Sequence, residues 1–89
     1  MQAVITVVGK DTVGIFAKVS AFCAKYEVNI EGVSQTILND MFVMIMVVTV
    51  DKCTIPFGDF ADAIKEEGKE NNLVIHAMHE DIFNSMHRI

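Results

Sequence analysis

The sequence predicts an α+β sandwich, a four-stranded antiparallel sheet with two helices on one face and a short C-terminal helix, from three observations. Residues 3–8 and 41–50 are short and almost wholly apolar, as buried strands are. Residues 15–26 and 57–64 repeat their apolar side chains at helical spacing. The segments fall in the order β-α-β-β-α-β, the split β-α-β arrangement of ferredoxin-like domains.

Each element has its own justification along the chain. Ala3 to Val8 is rich in β-branched residues and stops at Gly9, which reads as a first strand. A helix follows, with Ile15, Phe16, Val19, Phe22, Cys23 and Tyr26 in one apolar stripe, Lys18, Lys25 and Glu27 off it or at its margin, and Asp11 or Thr12 placed to cap its start. Asn29 falls just past the helix end, where Asn readily takes a turn conformation. Ile30 to Leu38, the pair Asn39-Asp40 and Met41 to Val50 then make a β-hairpin. Pro56 suits the first turn of a second helix, whose Phe57, Phe60, Ala61 and Ile64 face one way and Asp59, Asp62, Lys65, Glu66 and Glu70 the other. Gly68 weakens that helix by up to ~1 kcal/mol relative to Ala, so it marks either the helix end or a close approach. Leu73 to Met78 is the fourth strand. Ile82, Phe83, Met86 and Ile89 form an amphipathic turn or short helix that needs docking to be stable. In this topology the first and third strands are central, and they are the most uniformly apolar. The second and fourth carry Glu31, Ser34, Gln35, His76 and His79, as edges do.

With 89 residues the chain has room for one domain, residues 1–89, and a modest core. Hydrophobic residues make up 52% of it and mean hydropathy is +0.38. Apolar surface is therefore left over, which implies a homo-oligomer, dimer or higher, through paired sheet faces or edges. No apolar run approaches the roughly 18 residues of a membrane span. Met1 to Ile5 lacks the basic segment of a signal peptide, so a cytoplasmic chain with no membrane partner is expected. Cys23 and Cys53 form no C-x-x-C pair and read as core or surface residues of a reducing compartment. A net charge of -5 with seven scattered Lys and Arg argues against direct nucleic-acid binding.

The segment Val8-Gly9-Lys10-Asp11-Thr12-Val13-Gly14-Ile15, answered after one helix by Asn29-Ile30-Glu31, joins strand to helix through a polar loop between two glycines. Free N–H groups at the helix start and the positive end of its dipole suit a carboxylate or phosphate, and Gly9 and Gly14 would let the backbone approach it. The spacing from Gly9 to Gly14 begins like a P-loop. Ile15 and Phe16 stand where Lys and Ser or Thr should hold phosphate and magnesium, which argues against a nucleotide triphosphatase. His76 and His79 have an odd spacing that sends their rings to opposite faces of a continuous strand. Only a strand ending near His76, with His87 joining from the tail, would reopen a metal site. No Ser-His-Asp or Cys-His arrangement stands out, and Asp59, Asp62, Glu66, Glu67 and Glu70 read as a solvated helix face, so no catalytic residue, metal or cofactor is expected. Purely structural readings stand beside the ligand reading. Asp11 can be only a cap, Asn29 only a turn residue, Gly9 and Gly14 only backbone devices, Lys10 only solvated, and Met41, Met44, Met46 and Met78 core or dimer contacts.

The run Gly9 to Ile15, with Asn29-Ile30-Glu31 and Ser34-Gln35-Thr36, resembles the ACT domain, a small amino-acid-sensing regulatory module. The likeness covers essentially the whole chain and is nearest to the small stand-alone ACT proteins of bacteria and archaea. It implies a non-catalytic regulatory protein whose amino-acid effector sits between two paired domains, against the loop after the first strand and the segment after the first helix. By that resemblance Asp11, Thr12, Val13, Gly14 and Ile15, with Asn29 and Ile30, form the ligand site. The N–H groups of Thr12 to Ile15 would take the ligand carboxylate, and Asp11 and the Asn29 amide oxygen would accept from its ammonium. One departure stands out: many amino-acid-binding relatives have Pro where this chain has Val13. The alternatives are a ligand-free dimerisation or docking module for a metabolic enzyme or transcription regulator, and, less supported, a small enzyme using His76 or His79.

Overall fold

The computed structural model describes residues 1–86. Its elements are β1 (Gln2–Lys10), α1 (Ile15–Lys25), β2 (Asn29–Leu38), β3 (Met41–Thr49), α2 (Phe57–Glu70), β4 (Leu73–His79) and α3 (Glu80–Met86). The sheet order is β2-β3-β1-β4 and every pair is antiparallel, so the two apolar strands are central as the sequence predicts. Alternation along the strands sends Ala3, Ile5 and Val7 of β1, with Phe42, Met44, Met46 and Val48 of β3, to the side covered by α1 and α2, where they close one core with Ile15, Val19, Cys23, Phe60 and Ile64. The ring of Phe60 is the centre of an aromatic group, 6.0 Å from Phe22, 5.9 Å from Tyr26 and 6.4 Å from Phe57 between centroids. Burial, with Cys53 nearby, pushes the Cys23 thiol up to about 11, so it is a neutral core residue.

Turn chemistry fixes the registers. Asn39 and Asp40 both have positive φ, 50° and 66°, the signature of a two-residue type I′ hairpin, and they close β2 onto β3 with Leu38 opposite Met41. Pro56 precedes α2 as its cap residue rather than sitting inside the first turn. Its ψ of 145° is extended, and its carbonyl accepts from the Phe60 N–H at 3.0 Å. Gly68 is inside α2, where an added Cβ would lie 2.8 Å from Ile75 Cγ1 and 2.9 Å from the Leu73 carbonyl oxygen. Close helix–sheet packing is therefore its role, not helix termination.

The end of α1 differs from the expectation for Asn29. The left-handed turn residue is Glu27, φ 57°, and Asn29 already begins β2. The Val28 N–H donates to the Cys23 carbonyl at 2.9 Å and the Glu27 N–H to that of Ala24 at 3.1 Å, the paired bonds of a Schellman motif with buried Val28 and Cys23 as its apolar contact. A Cβ is disfavoured at such a position. Glu27→Gly is therefore expected to raise stability by up to ~1 kcal/mol, read as a higher midpoint in thermal or urea denaturation.

From the end of β4, α3 turns back across the sheet face opposite α1 and α2. Val4 points to that face and is buried, apart from the main core, with α3 packed beside β1 and β4. The expected tail is thus a helix through Met86, while Ile89 and His87 lie outside the described residues. No helix among the described residues is long and apolar enough to cross a membrane.

Candidate functional site

The loop after β1 begins where the Asp11 N–H donates to the carbonyl of Asp40 at 2.9 Å, which ties it to the β2–β3 turn. Neither Asp11 nor Thr12 caps α1, contrary to expectation. The residue before the helix is Gly14, with φ 84° and no side-chain cap, and its carbonyl accepts from the Lys18 N–H at 3.0 Å. The positive φ supplies the change of direction that a capping side chain would otherwise stabilise, and it leaves Asp11 and Thr12 outside the helical turn. The open helix start is consequently the N–H groups of Ile15, Phe16 and Ala17, shifted from the Thr12 to Ile15 stretch expected from sequence.

The two glycines differ in role. A Cβ at Gly14 would meet nothing within 4 Å, so backbone conformation alone requires glycine there. A Cβ at Gly9 would lie 2.6 Å from Leu73 Cδ2 and 3.1 Å from the Asn72 carbonyl oxygen, so Gly9 lets β1 pass the start of β4. Asp11, Thr12, Val13 and Gly14 are exposed, and Val13 is 97% exposed, whereas Ile15 anchors its side chain in the core.

At the start of β2, Asn29 is exposed and Ile30 half-buried, with Ile30 paired to the core residue Val48. The Ile30 side chain packs against the core from the edge. A bulge between Ile30 and Gly32 turns Glu31 toward Asn29. Glu31 Oε2 accepts from Asn29 Nδ2 and from Thr49 Oγ1, the latter at 3.0 Å, which fixes the amide and leaves Asn29 Oδ1 turned away from Glu31. Asn29 lies in a cleft of about 330 Å³ with Glu27, Thr49, Asp51 and Lys52. The α-ammonium of Met1 contacts Asp51. Glu27, Thr49, Asp51 and Lys52 lie outside the site expected from sequence: Thr49, Asp51 and Lys52 come to Asn29 only through the pairing of β2 with β3, and Glu27 through the turn before β2. Glu31 was visible in the Asn29-Ile30-Glu31 motif.

The chain does not bring the two halves of the expected site together. Asn29 pairs with Thr49, which in turn faces Gln2, at one end of the sheet, and the Asp11 loop sits over Asp40 at the other. The ten residues of β2 separate them, roughly 30 Å of extended chain.

This β-α-β-β-α-β fold with a glycine-bounded loop after β1 has its counterpart among known families. A model of the ACT domain matches residues 1–77. The chain belongs to the ACT domain family. A UPF0237 protein of Clostridium perfringens is 48% identical over the whole of both chains, and one of Methanopyrus kandleri is 36% identical over 99% of this chain and 98% of its own. An ACT domain protein from Streptococcus pneumoniae has a similar structure, with a TM-score of 0.82 and 38% identity over 93% of each chain.

Within this ACT domain, His76 and His79 lie on one continuous strand with opposite orientations, His76 beside Thr6 and His79 beside Ala3. His79 Nδ1 accepts from the Asp81 N–H at 3.1 Å. Among the described residues no three His, Cys, Asp or Glu side chains gather as metal ligands.

Proposed function

We propose that this is a non-catalytic, cytoplasmic regulatory ACT protein that senses a small amino acid, or a similar carboxylate, as a homo-oligomer. The observation that carries this reading is the placement of the two half-sites at opposite ends of β2. If β2 pairs antiparallel with β2 of a second copy, the Leu38 end of one strand lies beside the Asn29 end of the other. The loop of residues 11–14 in one protomer then meets the Asn29 cleft of its partner. The edge suits such pairing: it is ten residues long and carries neither Lys nor Pro, and Val33 and Ile37 on its helix side are 41% and 56% exposed. The open start of α1 offers N–H groups and a positive dipole end to the ligand carboxylate, while Asn29 Oδ1, with the carboxylate of Glu27, suits its ammonium.

Calorimetry and thermal shift with a panel of amino acids test this. A ligand that binds only the folded assembly raises the melting temperature as its concentration passes the dissociation constant. Asn29→Ala is expected to weaken binding by roughly 1–3 kcal/mol, about five- to a hundred-fold, with the circular dichroism spectrum kept. Gly14→Val is expected to do more harm, by straining the start of α1 rather than by crowding the ligand. No response to any common amino acid at millimolar concentration would end the sensor reading. The ligand-free docking module would then be favoured by one specific observation, the apolar sheet face opposite α1 and α2.

A further inference from the structure

α1 and α2 leave a cleft of about 350 Å³ between them, lined by Lys18, Ala21, Phe22 and Lys25 of α1 and by Glu67 of α2. It shares no residue with the cleft around Asn29. The four α1 residues stand at i, i+3, i+4 and i+7, so they share one face of the helix. Ala21 is the low point of that face, between the two lysines. Phe22 is half-buried, and its ring is held against those of Tyr26 and Phe60, with centroids 5.2 Å and 6.0 Å away, so it is a fixed part of the wall. The volume is that of a small-molecule site.

Charge limits what can fill the cleft. Lys18 and Lys25 are the only charged residues of α1. Among the described residues neither forms an ion pair, and Lys25 Nζ rests 5.4 Å from the centre of the Tyr26 ring instead. Glu67 Oε2 accepts from Asn71 Nδ2 at 3.4 Å, which leaves most of the carboxylate's acceptor capacity open. Two ammonium groups against one carboxylate give the cleft a surplus of one positive charge, on a chain whose net charge is -5. A monoanion cancels that surplus. A zwitterion leaves it in place, and a dianion overshoots it beside Glu67.

We propose that this cleft binds an aromatic carboxylate, a monoanion whose ring carries a hydroxyl group. The ring lies over Ala21 against Phe22, the carboxylate accepts from the ammonium groups of Lys18 and Lys25, and the hydroxyl donates to Glu67. Seven residues of helix span about 10.5 Å, and the flexible stems of the two lysines, one on either side of Ala21, converge on a single carboxylate across that distance. Unlike the site proposed at the β2 edge, this one is complete within one protomer, and neither reading depends on the other.

Calorimetry and amide NMR spectra of the full chain test this with para-hydroxyphenylacetate as the probe, beside acetate, which lacks the ring, and tyramine, in which an ammonium replaces the carboxylate. The probe is expected to saturate one site per protomer with a dissociation constant below about 1 mM and to shift the amides of Ala21, Phe22 and Lys25. Lys18→Gln and Lys25→Gln each weaken it by about threefold or more, while Lys65→Gln, the same change of charge on the solvent face of α2, leaves it unchanged. Ala21→Leu keeps a good helix former and both lysines but fills the floor of the cleft, so it abolishes binding with the circular dichroism spectrum kept. Glu67→Gln acts in opposite directions on two ligands. Phenylacetate, which has no hydroxyl, binds more tightly once the carboxylate charge is gone, and the hydroxylated acid loses its advantage over it. No saturation up to about 10 mM overturns the proposal. Acetate or tyramine binding as well as the probe, or Ala21→Leu binding like wild type, also overturns it, because attraction between surface charges would then account for everything observed.

Discussion

Phe60→Ala is expected to cost about 3–5 kcal/mol of folding stability. Phe60 has no exposed surface and is surrounded by the rings of Phe22, Tyr26 and Phe57, contributed by both helices. Truncation removes the transfer energy of a whole ring and leaves a cavity that the neighbouring rings can fill only by moving away from the sheet. At about 0.05–0.15 kcal/mol per residue, a chain of 89 residues has a total stability near 4–13 kcal/mol, so the loss is a large share of the whole. Urea denaturation should show a much lower midpoint with the slope retained. A loss below ~1 kcal/mol would mean that α1 and α2 do not meet through this ring.

Gly68→Ala reverses the usual sign of its substitution. In an exposed helix the change gains about 1 kcal/mol in propensity. Here the new Cβ would stand 2.9 Å from the Leu73 carbonyl oxygen, a backbone atom, and 2.8 Å from Ile75 Cγ1 at the heart of the core. The carbonyl cannot step aside without shifting the start of β4. Overpacking of this kind typically costs 1–3 kcal/mol, which outweighs or cancels the propensity gain, and Gly68→Val, with two further methyl groups, should fall well below wild type. Parallel melts of wild type and both variants decide the matter. A Gly68→Ala protein more stable than wild type would show that α2 does not approach β4 this closely.

The layers and their order were legible because they rest on local signals. Helical spacing at Ile15, Val19 and Cys23, the apolar run of β3 and the turn pair Asn39-Asp40 each act within a few residues. What escaped depends on contacts between distant segments or on backbone angles that side-chain chemistry does not encode. Asp11 and Thr12 have the chemistry of caps and the right distance from the helix, yet the positive φ of Gly14 excludes them from the turn. Glu27 takes the left-handed angle without being a residue type that signals it. Gly9 is explained only by Leu73, which arrives from the far end of the chain. The candidate site was legible as a motif and not as a place, since Asn29 owes its orientation to Glu31 and its cleft to Glu27 and to residues at and beyond the end of β3.

The opposed positions of the Asp11 loop and Asn29 also bear on concentration. If antiparallel β2 strands complete the site, its occupancy follows the law of mass action in two variables, the amount of ligand and the amount of the chain itself. Dilution below the dimer dissociation constant would empty the site at fixed ligand. Reciprocally, whatever factor dimerisation contributes to ligand affinity, the ligand returns to the dimer. Such a protein would respond to an amino acid only above a threshold abundance of its own copies, so its rate of synthesis would set the gain of its response.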